Sequence, residues 1–482
     1  MTFNSLDFAI FLPLVFLFYW LGGKKNRQTQ NLIILAASYL FYSWWDWRFL
    51  LLILFSTLVD FIIGNKLQTQ KKLQKRKLLL WTSIFANLGL LFFFKYYNFF
   101  IENFSLAFSL FGNKISPNSL NIILPVGISF YTFQTMSYTI DIYRRKLLPA
   151  KDFISFASFV SFFPQLVAGP IERATNLLPQ FYSKRKFNYL QAVDGMRQIL
   201  WGLFKKVVIA DNCAEYANLI FDNAEIHSGS TLVLGTLFFT FQIYGDFSGY
   251  SDIAIGTSRL FGFNLKQNFA TPYFSRNIAE FWRRWHISLS TWFRDYLYIP
   301  LGGSRGSTLT RVRNTFIIFL ISGLWHGANW TFVVWGALNA LFIIPSMILK
   351  TNRKSLDIVA KGNFFPSVSE FISILFTFCL TSLAWIFFRA ENINQAWIIL
   401  CKIFSTEICS APTFEGDNLI LPLYIMIGIF ILIEWIGRDK KFALEKLGTN
   451  WPSFYRLTFY YLIIFTIIWF SGKEQQFIYF QF

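Results

Sequence analysis

Long apolar runs alternate with short, mostly basic polar stretches along nearly the whole chain. The first run, Leu6 to Leu21, has no basic residue before it and Lys24, Lys25 and Arg27 after it. Leu32 to Trp47 and Phe49 to Gly64 read as a hairpin. Its turn, Trp44-Trp45-Asp46-Trp47-Arg48, has the make-up of an aromatic interface belt, and its return ends in the basic loop Lys66 to Lys77. Further runs cover Leu78 to Phe100, Leu120 to Ile140, Gly195 to Ala210, Leu232 to Phe261, Phe371 to Phe388, Leu419 to Gly437 and Leu457 to Phe470. At ~20 residues per crossing, the pattern predicts an all-α integral membrane protein of about 11 to 12 transmembrane helices, a single domain over residues 1–482. Lys and Arg crowd the short loops, which marks those loops as cytoplasmic and places the N-terminus outside.

Two stretches break the alternation. Phe153 to Ala168 is short, contains Pro164, ends in Gly169-Pro170 and is bracketed by the clusters Arg144-Arg145-Lys146 and Lys184-Arg185-Lys186. With both clusters inside, it enters and leaves by one face as a re-entrant segment; with one outside, it is a kinked span. Asn264 to Arg313 is too polar to cross. Within it Trp282, Trp285, Leu289, Trp292, Phe293 and Tyr296 recur at three- and four-residue spacing, the pattern of one face of a cytoplasmic interfacial helix. Glu391 to Asp417 reads as a net acidic loop.

The remaining run, Arg311 to Lys350, carries the candidate chemistry. Between Arg313 and Lys350 it has no acidic or basic side chain except His326, in the turn-like string Trp325-His326-Gly327-Ala328-Asn329-Trp330. Counted from Arg313 at ~1.5 Å per residue, His326 lies ~20 Å along a helix, past the middle of a ~30 Å hydrocarbon core. An ionisable residue at that depth points to function. A neutral imidazole is a competent general base, and it can equally serve as a hydrogen-bonding link between helices. The run Leu232 to Phe261 carries Gln242, Asp246 and Asp252 in apolar surroundings.

Composition agrees with the pattern. A chain that is 54% hydrophobic, 21% aromatic and only 15% charged is too apolar to cover itself with a soluble surface. The net charge of +18 would suggest nucleic acid in a soluble protein, but here the basic residues sit in the loops. Cys213, Cys379, Cys401 and Cys409 form no CxxC pair and no metal-ligand spacing, so free thiols are expected. Leu301-Gly302-Gly303-Ser304-Arg305-Gly306 lacks the spacing of a phosphate loop and reads as a turn. His227 reads as a loop residue.

Five strings in order resemble the membrane-bound O-acyltransferase family, and its bacterial alginate O-acetyltransferase branch most of all. They are Phe133 to Tyr143 (FQTMSYTIDIY), Phe163 to Ile171 (FPQLVAGPI), Phe281 to His286 (FWRRWH), Tyr296 to Gly303 (YLYIPLGG) and Gly323 to Trp330 (GLWHGANW). The resemblance implies that His326 is the catalytic histidine. It also implies that an acyl group passes from a cytoplasmic thioester, acetyl-CoA or an acyl carrier, to an acceptor on the outer side. His286 lies within one of the resembling strings, but its helix neighbours Arg283 and Ser290 place it at a wet interface, where it reads as a secondary or structural contributor. Family members often carry a second histidine after the Trp-Gly of the next helix, where this chain has Trp335-Gly336-Ala337-Leu338-Asn339, so that role is open here.

On this reading Arg283, Arg284 and Arg294 lie where the donor's phosphates would arrive, although positive-inside marking explains them too. Trp325, Asn329 and Trp330 are donors that could orient the imidazole or the acyl carbonyl. The expectation is an acetyltransferase of the bacterial plasma membrane, acting with an extracytoplasmic acetyltransferase partner on an exopolysaccharide or cell-wall glycan, with no bound cofactor, metal or nucleic acid. Two alternatives stand beside it: D-alanyl transfer from a carrier protein to teichoic acid, and a secondary transporter with Asp246, Asp252 and His326 as a proton relay.

Overall fold

The computed structural model describes residues 1–24, 26–110, 120–167, 169–414, 420–472 and 475–480. Every regular element among them is helical. By internal contacts the chain divides into two compact units: Met1–Gly195 with Thr257–Lys266, and Met196–Gly256 with Gln267–Phe482.

The first unit opens with α1 (Leu6–Gly22), α2 (Arg27–Ser43), α3 (Leu50–Thr69) and α4 (Leu73–Leu91). α4 runs through a π-helical turn at Phe92–Tyr96 into α5 (Tyr97–Ser109). α6 (Ile128–Tyr143) and the short α7 (Phe153–Val160), α8 (Phe163–Leu166) and α9 (Ala174–Leu177) follow. Trp44, Trp45 and Trp47 are exposed at the α2–α3 turn, as an interface belt requires. α7 and α8 have 8 and 4 residues and are buried apart from the first residues of α7, so neither can cross a bilayer alone, which fits the re-entrant reading. The run from Leu120 to Ile140 is not helical throughout: α6 begins only at Ile128, because Pro125 and the left-handed Gly127 (φ 75°) interrupt the backbone before it.

A buried carboxylate holds the centre of this unit. Asp60 on α3 accepts hydrogen bonds from Ser83, from Asn87 Nδ2 (2.8 Å) and from Thr139 Oγ1 (3.0 Å), which ties α3, α4 and α6 together. Such a group is tolerable in an apolar bundle only when its lone pairs are satisfied in this way.

The chain passes into the second unit within α10 (Tyr189–Leu203), which continues through a π-helical segment at Phe204–Ala210 into α11 (Asp211–Asp222). Next come the 32-residue α12 (Gly229–Leu260), α13 (Ile278–Arg284), α14 (Ile287–Phe293), α15 (Thr308–His326) and α16 (Trp330–Ile348). α17 (Val368–Arg389), α18 (Ile393–Ile403), α19 (Ile420–Ile436) and α20 (Ser453–Trp469) complete it. Among the described residues, Trp47–Thr69, Leu73–Ser109, Trp330–Ile348 and Val368–Arg389 are long and apolar enough to cross a membrane, and five shorter apolar helices accompany them.

Two expectations change here. The single interfacial helix drawn through Phe281 to Tyr296 is two short helices, α13 and α14, broken at Trp285-His286. Its aromatic face packs inward: Trp282 meets Phe319 and Trp335 (5.1 and 5.7 Å between ring centroids), and Trp285 meets Trp385 (5.0 Å). The spacing was amphipathic because one side faces the protein interior rather than lipid. Within the acidic stretch after Glu391, residues 393–403 form α18, capped by Asn392, whose side chain accepts from Gln395 N.

Candidate active site

α15 and α16 make the hairpin foreseen in the Arg311–Lys350 run. Ser307 caps α15 by accepting from Thr310 N, and the helix ends at His326 where Gly327 turns extended. Asn329 then caps α16 by accepting from Thr331 N. The two helices touch backbone to backbone. A Cβ on Gly323 would stand 2.2 Å from Phe332 O, and one on Gly336 would stand 2.3 Å from Phe319 O. Small residues permit this close crossing, and it fixes the depth of the turn that carries His326.

His326 is 3% exposed. The rings touching it among the described residues are Trp325 (5.0 Å between centroids), Trp335 (5.0 Å), Phe388 (5.2 Å) and Tyr479 (5.6 Å), so α15, α16, α17 and the segment after α20 all contribute to its seat. Tyr479 is the hydroxyl-bearing member of that set. A phenol there can share a proton with an imidazole or with the carbonyl oxygen of an acyl group.

His286 is not at a wet interface. It is 1% exposed, edge-on to Phe247 (4.6 Å), stacked near Phe269 (6.3 Å), and in ring contact with Trp325 (6.0 Å) and Tyr479 (6.4 Å). The cause is its backbone. At φ 43° the residue breaks the helix and turns its ring into the protein. Burial pushes its pKa down to about 3, so the imidazole is neutral at physiological pH. The structure therefore brings both histidines onto the same tyrosine and the same tryptophan.

The helper residues divide. Trp325 is buried against both histidines. Asn329 does not orient the ring: its Oδ1 caps α16, and its Nδ2 donates to Glu391 O (2.8 Å). Trp330 is half exposed, and Asn339 donates to Trp335 O on its own helix. Arg283 donates to Asn352 O and Ser355 O (2.8 Å each), and Arg284 pairs with Glu280 (2.7 Å), so both anchor neighbouring segments. Arg294 is exposed and paired with Asp295.

Asp246 and Asp252 are ion-paired rather than poised as a relay. The π-helical segment Phe204–Ala210 turns two successive lysines inward. Lys205 pairs with Asp252, which also accepts from Gln198 (2.7 Å). Lys206 reaches Asp211 (2.7 Å) and Asp246 (2.8 Å). The same pair grips the segment that bears Tyr479: Asp246 Oδ2 accepts from Ile478 N (2.7 Å), and Lys206 Nζ donates to Gln475 O (3.2 Å). Phe477 packs on Tyr250 (4.2 Å) and Tyr479 on Phe247 (4.5 Å). Sequence reasoning passed over Tyr479. The available signal was the aromatic string Phe477-Ile478-Tyr479-Phe480 after the last apolar run.

The family model for membrane-bound O-acyltransferases matches residues 39–388. The chain belongs to this family, and it is a membrane O-acyltransferase. It is 41% identical over 459 residues to the probable alginate O-acetylase AlgI of Pseudomonas aeruginosa, covering 94% of this chain and 84% of that protein. It is 36% identical over 519 residues to the peptidoglycan O-acetyltransferase of Helicobacter pylori, covering 98% and 95%. A teichoic acid D-alanyltransferase of Streptococcus thermophilus matches at 26% over 322 residues, covering 62% and 77%. O-acetyl transfer thus stands ahead of D-alanyl transfer, and the family together with the paired carboxylates sets the transporter reading aside.

Proposed function

We propose that the protein takes acetyl groups from cytoplasmic acetyl-CoA and passes them outward for O-acetylation of an exopolysaccharide or cell-wall glycan, with His326 as general base. The observation that carries this reading is the seat of His326: a buried imidazole at the end of the 19-residue α15, ringed by aromatic side chains that exclude water. An acceptor hydroxyl attacks the thioester carbonyl carbon, and His326 takes its proton. The new C–O bond forms as the C–S bond breaks, and the proton returns to the departing thiolate.

His286, neutral and against the same rings, is the secondary member of the site. Arg294, exposed beside the short helices and paired with Asp295, is one cation that the donor's phosphates could meet, while Arg283 and Arg284 hold the loop around residues 352–355 and the Glu280 carboxylate. The names of the acetylating relatives support a surface glycan as acceptor; an extracytoplasmic acetyltransferase would be the partner that places the acetyl group on it. The loop charges support residence in the bacterial plasma membrane with the N-terminus outside. Purified protein in liposomes, given labelled acetyl-CoA, should release coenzyme A in the presence of a glycan acceptor. Full acetyl transfer by a folded His326→Ala protein would overturn the assignment.

A further inference from the structure

Asn268 lies in the segment between α12 and α13 and is completely buried. Its backbone is fastened beside the His286 bend: Ile287 N donates to Asn268 O (2.9 Å), and Ala270 N donates to Arg284 O (3.0 Å). The side-chain oxygen Oδ1 accepts from Ser288 N (3.1 Å) and from Ser288 Oγ (2.8 Å), and it lies 3.1 Å from His286 Nδ1. A backbone N–H can only donate, so the carboxamide atom facing Ser288 is the oxygen. A carboxamide oxygen can only accept, so the hydrogen in its contact with His286 has to sit on Nδ1. Two lone pairs would otherwise face each other at 3.1 Å in a buried site.

We propose that Asn268 is the positioning residue that fixes His286 as its Nδ1–H tautomer, leaving Nε2 as the nitrogen able to accept a proton in the reaction space shared with Trp325 and Tyr479. This rests on reading the two histidines as one reaction centre. The left-handed backbone at His286 fits the same role. The bend brings Nδ1 to Asn268 and Ser288 N to the same oxygen. The state of one ring nitrogen is thus set by the hydrogen bond that the other makes, the arrangement by which a histidine's second nitrogen is commonly fixed.

The test uses the full chain, purified in detergent with 15N-labelled histidine. The chain has three histidines, so each signal can be assigned by single His227→Gln, His286→Gln and His326→Gln replacements. The wild type should show His286 as the Nδ1–H tautomer. Asn268→Ala should lose that preference and slow acetyl transfer by about ten- to a hundredfold through kcat rather than KM, the usual loss when a supporting hydrogen bond to a functional histidine is removed. Asn268→Asp keeps an acceptor oxygen at the same place and should keep the Nδ1–H signature even if transfer is slowed by the added charge. Ser288→Ala, which leaves the Asn268 to His286 bond intact, should keep it as well and serves as a control for general disruption. An Nε2–H signature in the wild type, or an unchanged one in Asn268→Ala, overturns the proposal. A tautomer shift with unaltered transfer overturns the part assigned to His286 in the reaction while His326 stands on its own test.

Discussion

His326 and His286 touch the same two rings, Trp325 and Tyr479, but they arrive there by unlike means. His326 closes a 19-residue helix and is packed among aromatic rings from three helices and from the short 3-10 turn Ile478–Phe480. His286 precedes a 7-residue helix, stands in a left-handed bend and is tied to Asn268. The first is placed by the geometry of a membrane hairpin, the second by a local hydrogen-bonded knot. A group held by many ring contacts should survive the loss of any one of them. A tautomer fixed by one oxygen should not survive the loss of that oxygen.

The contrast can be broken at its strongest point first. His326→Ala should lower acetyl transfer by about 10²- to 10⁴-fold, the range for a lost general base, with an unchanged melting temperature; a smaller effect would shift the chemistry toward His286. The shared ring comes next. Asp246→Ala leaves Lys206 with one fewer partner and frees Ile478 N, and should cost about 3–5 kcal/mol by thermal unfolding together with most of the transfer rate, because Tyr479 loses its mooring. Joint replacement, Lys206→Met with Asp246→Leu and Asp211→Asn, removes all three charges of the cluster and should recover stability and leave transfer low, which separates the mooring from the fold.

Tyr479→Phe keeps the ring and removes the hydroxyl. If that hydroxyl bonds the imidazole or the acyl carbonyl, transfer should fall by about five- to tenfold, the worth of a hydrogen bond near 1 kcal/mol, with no change in melting; equal activity would make the ring a packing element alone. The mildest test is pH. His286 titrates at about 3 in the folded chain against ~6.5 in an unfolded one, so between those values the unfolded state binds the extra proton. Stability should therefore fall as pH drops below ~6.5, by at most about 1.4 kcal/mol per pH unit, and His286→Gln should flatten that slope.

The membrane class, the α15–α16 hairpin and the burial of His326 were legible because each follows from an apolar run of the right length with one ionisable residue inside it. The surroundings of His286 were not. Its spacing matched a continuous amphipathic helix, and nothing in Trp285-His286-Ile287 announces a left-handed bend, which sequence normally signals with glycine or asparagine. Asp246 and Asp252 were visible as buried acids, but their partners lie in another run, on a π-helical segment whose extra residue per turn no hydrophobic period reveals. Tyr479 was hidden for a plainer reason: a short aromatic string has no period of its own, and its meaning comes only from the cation and carboxylate that seize its backbone.

That seizure bears on how the protein is made. Tyr479 can meet His326 only once α16 to α20 have all been synthesised, since the stretch that carries it follows them in the chain. A nascent chain halted partway through insertion would hold its histidine but not its completed chamber. Assembly and competence are thereby joined, and a half-inserted intermediate has no finished pocket in which to squander thioester on water.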